Sequence, residues 1–510
     1  MLTNFCNGDK DIILILKRLK NGTDIRGIAI ETKEYKESLT TEIVSLIGRG
    51  FSKWLKNRTD NKENLKVALG MDSRLSGPKL KDSLIEVLAK QGINVYDCGL
   101  TTTPSMFMTT ILEGYKCDGA IMITASHLPY YYNGLKFFTS IGGCEKEDIE
   151  EIINLALEEN LTSIKNAEGI VRKADLVEDY SKILVNKVRE AVGSEKPLEG
   201  TKIIVDAGNG AGGFFATKVL KNLGANIEGS QFLEPDGTFP NHIPNPENKE
   251  AMKSIKNAVL NFKADLGIIF DTDVDRAAIV SKTGEEINKN ALIALISSII
   301  IRENKGATII TDSITSTGLT EFITNLGGVH HRFKRGYKNV INEAKRLNEE
   351  GIECPLAIET SGHAALKENY FLDDGAYLIV KILIEMSRLK KENNDISYLI
   401  KELRHPLESE EKRINIRCED FRTYGQSVIE DLKEYVSKIE GWSIEPKNYE
   451  GIKINCAKEN GWFLLRLSLH EPLLALNIES DIKGGVKNIF SNIEIFFNNY
   501  SRLVLWILKG

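Results

Sequence analysis

Leu266-Gly267-Ile268-Ile269-Phe270-Asp271-Thr272-Asp273-Val274-Asp275-Arg276 is an apolar run that breaks abruptly into three carboxylates. A short run of this kind suits a strand buried on both faces, and open α/β sheets place their ligands at the carboxyl ends of such strands. The same signature recurs at LKVALGMD (residues 65–72), TKIIVD (201–206) and ATIITD (307–312). Helices between them are punctuated clearly. Pro78 fits a first helical position, Leu80, Leu84, Val87 and Leu88 share a face, and Gly92 fits a left-handed cap. Similar helix–glycine–strand passages stand at LKNLGANIEG (220–229) and ITNLGGVHHRF (323–333). Three copies, at Gly92, Gly224 and Gly327, predict three similar mixed-sheet α/β domains in series.

Beyond residue 400 the pattern changes. The β-rich runs Ile414-Asn415-Ile416, Ile452-Lys453-Ile454, 462–467 and 473–478 flank a helical 428–439, which predicts a smaller α+β domain. Charged stretches at 158–173 and 387–395 read as junctions, so the expected domains are 1–165, 166–285, 286–395 and 396–510.

A length of 510 residues suits several domains, and 42% hydrophobic with 27% charged residues excludes bulk disorder. Sixty-six basic against 72 acidic residues give −6, which argues against a nucleic-acid binder but permits a local pocket for a small anion. Seven cysteines without a CxxC pair point to a reducing compartment and away from a thiolate zinc site. The apolar run 11–16, closed by Lys17-Arg18, is too short for a signal core, and 503–508 is too short to cross a bilayer. A soluble, cytoplasmic protein without membrane partners is expected.

Four segments carry the chemistry. Thr124-Ala125-Ser126-His127-Leu128-Pro129, with Asn133-Gly134-Leu135-Lys136 after it, offers Ser126 beside His127 and Lys136. Ser126 could be a nucleophile or phosphate carrier, or the segment could be an ordinary Ser-x-x-Pro turn. Asp271, Asp273 and Asp275 alternate in what should be an extended loop, where they point the same way and converge on one hard dication. Arg276 and Lys282 occupy the sixth and twelfth places, which excludes an EF-hand, and the lack of His or Cys favours Mg²⁺ over zinc. Ile358-Glu359-Thr360-Ser361-Gly362-His363 suits sugar hydroxyls, or a helix starting at Ser361. Arg466-Leu467-Ser468-Leu469-His470-Glu471-Pro472 could hold a phosphate, or leave Arg466 facing solvent at a strand end.

In this order, the four segments resemble those of the α-D-phosphohexomutases, the phosphomannomutase and phosphoglucomutase family. That family has a TASHNP loop with a downstream NGxK, a DxDxDR metal loop, a GExSGH sugar loop and an RxSxTxP phosphate loop. Gly22-Thr23-Asp24-Ile25-Arg26-Gly27, Gly70-Met71-Asp72-Ser73-Arg74, the stretch from Gly99 to Pro104, residues 205–212 and 234–240, and Lys334-Arg335-Gly336-Tyr337 are similar to it as well. The resemblance implies three similar α/β domains and a different C-terminal one around a central cleft.

It implies a phosphoryl group moved between O1 and O6 of mannose or glucose phosphate, through phosphorylated Ser126 and a hexose 1,6-bisphosphate that is also the activator. Asp271, Asp273 and Asp275 with a phosphoserine oxygen at Ser126 would hold Mg²⁺. Arg26 and Arg276 would lie near the transferring phosphoryl, with His127, Lys136 and His363 as proton-transfer candidates. Glu359, Ser361, Lys334 and Gly336 would contact the sugar, and Arg466, Ser468 and His470 the non-reacting phosphate. The partner is a small hexose phosphate, and the protein a monomer or homodimer. Four departures stand out: Leu128 for asparagine, Thr272 for glycine (so that loop should be extended), Tyr337 for histidine, and Leu469-His470 in the phosphate loop. A phosphoglucosamine mutase and a catalytically weak sugar-phosphate-binding paralogue are the alternatives. A haloacid-dehalogenase phosphatase is set aside, since its nucleophilic aspartate lies near the N-terminus.

Overall fold

A computed structural model describes residues 7–60, 62–158, 169–468 and 471–505. They form two compact units. One comprises the described residues up to Asn288 with Ser361–Tyr398, the other Lys289–Thr360 with the described residues from Leu399 on.

The first unit opens with an eight-stranded mixed sheet. Its order is Lys20–Asn21, Asp24–Ile28, Tyr132–Thr139, Gly119–Ile123, Lys66–Met71, Asn94–Leu100, Val171–Lys173, with Gly142–Gly143 on Tyr132–Thr139. Lys66–Met71 pairs in parallel with Asn94–Leu100 and Gly119–Ile123, whereas Tyr132–Thr139 runs antiparallel between Gly119–Ile123 and Asp24–Ile28. This register sets Arg26 opposite Gly134 and Lys136 opposite Met122. Helix Gly77–Lys90 buries Leu80, Leu84, Val87 and Leu88 as its spacing requires, and Pro78 stands at its start. Phe51 of helix Thr41–Arg58 stacks on Phe137 of the sheet at 5.0 Å.

A second sheet in this unit orders Glu286–Ile287, Ala277–Ser281, Leu266–Phe270 and Ile203–Asp206, with only the last two parallel. The expected helix–glycine–strand copy at Gly224 departs here. Gly224 has φ +90°, but the helix before it is a short π-type turn, Phe215–Leu220. The segment after it makes only a single bridge, Lys202 to Asn226, and then turns at Gly229 with φ +94°. A glycine in the left-handed region so soon afterwards cuts the run below strand length. Within the stretch 387–395, residues up to Lys391 belong to helix Gly375–Lys391, which packs on Leu176–Val192. The unit's edge follows at Tyr398.

The second unit holds a parallel trio, Val329–Arg332, Thr308–Thr311 and Leu356–Ile358, and then a six-stranded antiparallel sheet. That sheet runs Trp442–Ile444, Ile452–Cys456, Gly461–Leu467, Leu473–Ser480, Glu408–Ile416, Leu503–Leu505. Helices Phe421–Val436 and Gly485–Phe497 supply Val428, Leu432, Ile489 and Ile493 to the same core as Ile454, Phe463, Leu465 and Leu476. Among the described residues, no helix is long and apolar enough to cross a membrane.

Phe463 is fully buried and meets Trp442 edge-on at 5.1 Å. Phe463→Ala should destabilise this sheet by about 3–5 kcal/mol, read from denaturant unfolding.

Candidate active site

Strand Gly119–Ile123 ends in the serine loop, pinned at once by the Thr124 N–H donating to the Gly134 carbonyl at 3.0 Å. Ser126 itself is buried and adopts φ +51°. Strand Leu266–Phe270 ends in the acidic loop, which is a turn. The Val274 N–H donates to the Asp271 carbonyl (3.4 Å), and Val274 takes φ +66°. Three further segments fix this turn by main-chain bonds: Ala211 N–H to Thr272 O (2.8 Å), Thr103 N–H to Asp273 O (2.9 Å) and Gly375 N–H to Val274 O (3.0 Å). The expectation of an extended loop, drawn from threonine at position 272, is therefore corrected. The positive φ falls two residues later, and the turn rather than strand alternation gathers the acids.

The two loops meet at the serine hydroxyl. Ser126 Oγ donates to Asp271 Oδ2 at 3.1 Å and accepts from Arg276 Nη2 at 3.0 Å. Arg276 closes the triangle on Asp271 at 3.1 Å and also reaches His127 Nδ1 at 2.7 Å. Lys136 Nζ donates to Asp275 (2.6 Å) and Asp273 (3.3 Å). The three acids thus have two cations among them, because β-pairing carries Lys136 into the cluster. Carboxylate oxygens of Asp271, Asp273 and Asp275 all lie within 4.8 Å of one another. Lys136 holds the Oδ2 atoms of Asp273 and Asp275, while both Oδ1 atoms are buried without a hydrogen-bond partner. Two orphaned anionic oxygens in an all-carboxylate set are what a hard cation would satisfy.

Electrostatics follow from burial and proximity. Burial, then the charge of Asp275, pushes the Asp271 carboxyl well above its usual range. Burial opposes ionisation of Asp275 too, but the charges of Lys136 and Arg276 outweigh it and hold that group ionised. Burial, with Arg276 and Arg26, lowers His127 to about 3. Burial also lowers His363 to about 3, although Asp275 pulls the other way, so both imidazoles are neutral. His363 Nε2 stands 3.7 Å from Asp275, and its Nδ1 is 2.8 Å from Ser361 Oγ. Arg26 is paired with Asp24 at 2.9 Å.

The second unit carries the remaining candidates. Glu359 is buried and accepts the Gly336 N–H at 2.6 Å, while Lys334 is exposed beside Phe333. Arg466 is buried, 4.0 Å from Glu450, so the solvent-facing alternative is excluded. Ser468 Oγ accepts the Glu471 N–H at 3.2 Å, and its own N–H donates to Leu473 O. His470 lies outside the described residues.

Some site residues escaped the sequence reading. Thr103 Oγ1 donates to Asp273, and Asn245 Oδ1 and Glu247 stand 3.3 and 3.7 Å from Arg276 Nη1. The segment bearing the last two is pinned by His242, whose Nε2 lies 3.0 Å from both oxygens of fully buried Asp206. Their only signal was a run rich in Asn and Pro, NHIPNPEN (241–248), which reads as a plain loop.

The chain matches three family patterns in sequence order. They are described as phosphoglucomutase/phosphomannomutase, alpha/beta/alpha domains I, II and III, over residues 17–163, 178–284 and 288–406. It is 31% identical over 476 residues to a phosphomannomutase/phosphoglucomutase of Pseudomonas aeruginosa, covering 92% of this chain and 94% of that one. Similarity to a phosphoglucomutase of Neisseria gonorrhoeae is 29% over 483 residues, covering 94% and 97%. Among solved structures, a phosphoglucomutase/phosphomannomutase family protein of Burkholderia thailandensis superposes with a TM-score of 0.77 at 26% identity, covering 94% and 97%.

Three α/β domains, a further antiparallel domain and a serine set against an aspartate trio define a phosphohexomutase. The chain belongs to the phosphoglucomutase/phosphomannomutase family.

Two outcomes follow from this geometry. A Cβ at Gly375 would sit 2.7 Å from the Arg276 carbonyl carbon and 3.0 Å from Val274 O, main-chain atoms that cannot swing aside. Gly375→Ala should cost about 1–3 kcal/mol in thermal unfolding and weaken divalent-cation binding in calorimetry. Burial disfavours charge on His242, but hydrogen bonding and charge from Asp206 raise its pKa above the ordinary histidine range. The raised folded pKa makes this stabilisation complete at acid pH, and it is lost as pH rises through that value. The melting-temperature gap between wild type and His242→Gln should accordingly be widest below about pH 6.5 and close as pH rises through the raised folded value.

Proposed function

We propose that this chain interconverts the 1-phosphate and 6-phosphate of a hexose, mannose or glucose, with Ser126 as the phosphoryl carrier. The observation that carries the reading is the buried Ser126 hydroxyl between Asp271 and Arg276, beside two orphaned carboxylate oxygens. Phosphoryl transfer asks a protein mainly for positioning and charge stabilisation, and these residues supply both.

Asp271, Asp273 and Asp275, with an oxygen of phosphorylated Ser126, are the residues that would hold Mg²⁺. When bound, the ion supplies positive charge against the phosphoserine and the anionic substrate. Arg276 donates to the transferring group from the position it now takes on the serine hydroxyl, and Arg26 adds a second guanidinium. A substrate hydroxyl attacks the phosphorus, the bond to Ser126 Oγ breaks, and the hydroxyl proton passes to a neighbouring base. Neutral His127 and His363 can accept it directly, whereas Lys136 must first lose a proton. The hexose 1,6-bisphosphate so formed returns its other phosphoryl group to Ser126. In the second unit, Glu359, Lys334 and Gly336 are assigned to the sugar and Arg466, Ser468 and His470 to the non-reacting phosphate; Ser361 joins the sugar contacts.

Intact mass and peptide mapping after treatment with hexose 1,6-bisphosphate and Mg²⁺ should place one phosphoryl group on Ser126. Ser126→Ala should lower kcat by at least about 10³-fold, and chelation of divalent cations should abolish turnover reversibly. Wild-type turnover by Ser126→Ala would show another nucleophile, and no turnover by either protein would show a binding protein.

A further inference from the structure

Arg74 follows strand Lys66–Met71, and its side chain is fully buried. Its guanidinium donates to four main-chain carbonyls of one loop. Nη2 reaches Ser126 O (2.5 Å) and Leu128 O (2.6 Å), and Nη1 reaches Pro129 O (2.8 Å) and Tyr132 O (2.9 Å). Asp72 backs it, with Oδ2 3.3 Å from Nε and Oδ1 accepting the Arg74 N–H at 2.9 Å. Asp72 also accepts the Thr124 hydroxyl at 2.6 Å, and that hydroxyl oxygen accepts the Ser126 N–H at 2.9 Å. Both main-chain groups of the nucleophile are thereby held from one Asp–Arg pair. A second segment covers the guanidinium. The Phe239 ring centre lies 5.3 Å away, and Gly237 packs so tightly that a Cβ there would stand 2.4 Å from Ser73 O.

A serine in the left-handed region tends to relax toward ordinary backbone angles. Relaxation would swing Oγ away from Asp271 and Arg276. A planar fork bonded to four carbonyls opposes this, and lysine, a point charge with three tetrahedral donors, cannot reproduce it. We propose that Arg74 is the positioning residue of the nucleophile loop, with residues 234–240 as its cover. The inference rests on Ser126 as phosphoryl carrier, and extends that reading to a side chain that hydrogen-bonds none of the metal-binding acids.

The test uses the full-length Arg74→Lys and Gly237→Ala proteins, with folding checked by circular dichroism. Three quantities are read: the single-turnover rate of Ser126 phosphorylation by hexose 1,6-bisphosphate, KM for the hexose phosphate, and Mg²⁺ affinity. Arg74→Lys should slow phosphorylation by about 10²-fold, the usual effect of ångström-scale misplacement, with KM and Mg²⁺ affinity unchanged. Gly237→Ala should move the same rate in the same direction, by less. Phosphorylation at the wild-type rate in folded Arg74→Lys overturns the proposal, as does a parallel loss of KM and Mg²⁺ affinity. Should Arg74→Lys not fold, Gly237→Ala decides alone, and a wild-type rate there is equally fatal. An unlabelled Ser126 in the wild-type enzyme is a separate result: it removes the carrier reading and this inference together.

Discussion

A single hydrogen bond, 3.1 Å from Ser126 Oγ to Asp271 Oδ2, joins two loops 145 residues apart and organises the chemistry around it. Each loop leaves the carboxyl end of a fully buried strand, but the strands belong to different sheets. Both loops carry a residue in the left-handed region, Ser126 and Val274. Such conformations cost about 1–3 kcal/mol each and persist only where neighbours over-determine them. The neighbours are visible: Thr124 and Arg74 on the serine side, and Ala211, Thr103 and Gly375 on the acidic side. Side chains thus hold the serine loop, and main-chain hydrogen bonds from segments distant in sequence hold the acidic turn.

Charge balance explains why so many acids can be buried together. Asp271, Asp273 and Asp275, if all ionised, bring three negative charges, and Lys136 and Arg276 return two. Oδ1 of Asp273 and Oδ1 of Asp275 have no hydrogen-bond partner. With all three acids ionised, a bound dication would leave the cluster with net positive charge, favourable to a phosphoryl group arriving at Ser126. In that state the cluster would favour an anion only with a cation bound, and the same carboxylates that hold Lys136 in place would hold that cation.

The strands were legible because apolar runs ending at an acid occur in the sequence four times. The acids themselves were not equally informative. Asp72 hydrogen-bonds Thr124 and Arg74, Asp206 holds His242 and Gln231, and Asp312 accepts from Thr360. Only Asp271 has acids two and four residues on, and that spacing singled out the cluster. Loop shape was not legible, since alternation in a strand and a tight turn can both gather three acids. Arg74 was legible only within the family-like stretch 70–74, and nothing in that stretch shows that the serine loop wraps round its side chain. The strand expected after Gly224 failed because one β-branched residue, Ile227, stands in a run that ends at a left-handed glycine.

The substitution of threonine for glycine at position 272 did not force the acidic loop open, and the reason lies in where the turn stores its strain. Thr272 keeps an ordinary conformation, its carbonyl fixed by the Ala211 N–H, and the left-handed residue is Val274. A β-branched side chain is poorly suited to that region. Val274, however, is fully buried, and burying a valine contributes about 1.5–3 kcal/mol. That is comparable to the cost of its backbone conformation. Apolar burial can thus offset a strained φ, so the acidic turn needs no glycine within it, only the small neighbour Gly375 packed against its outer edge.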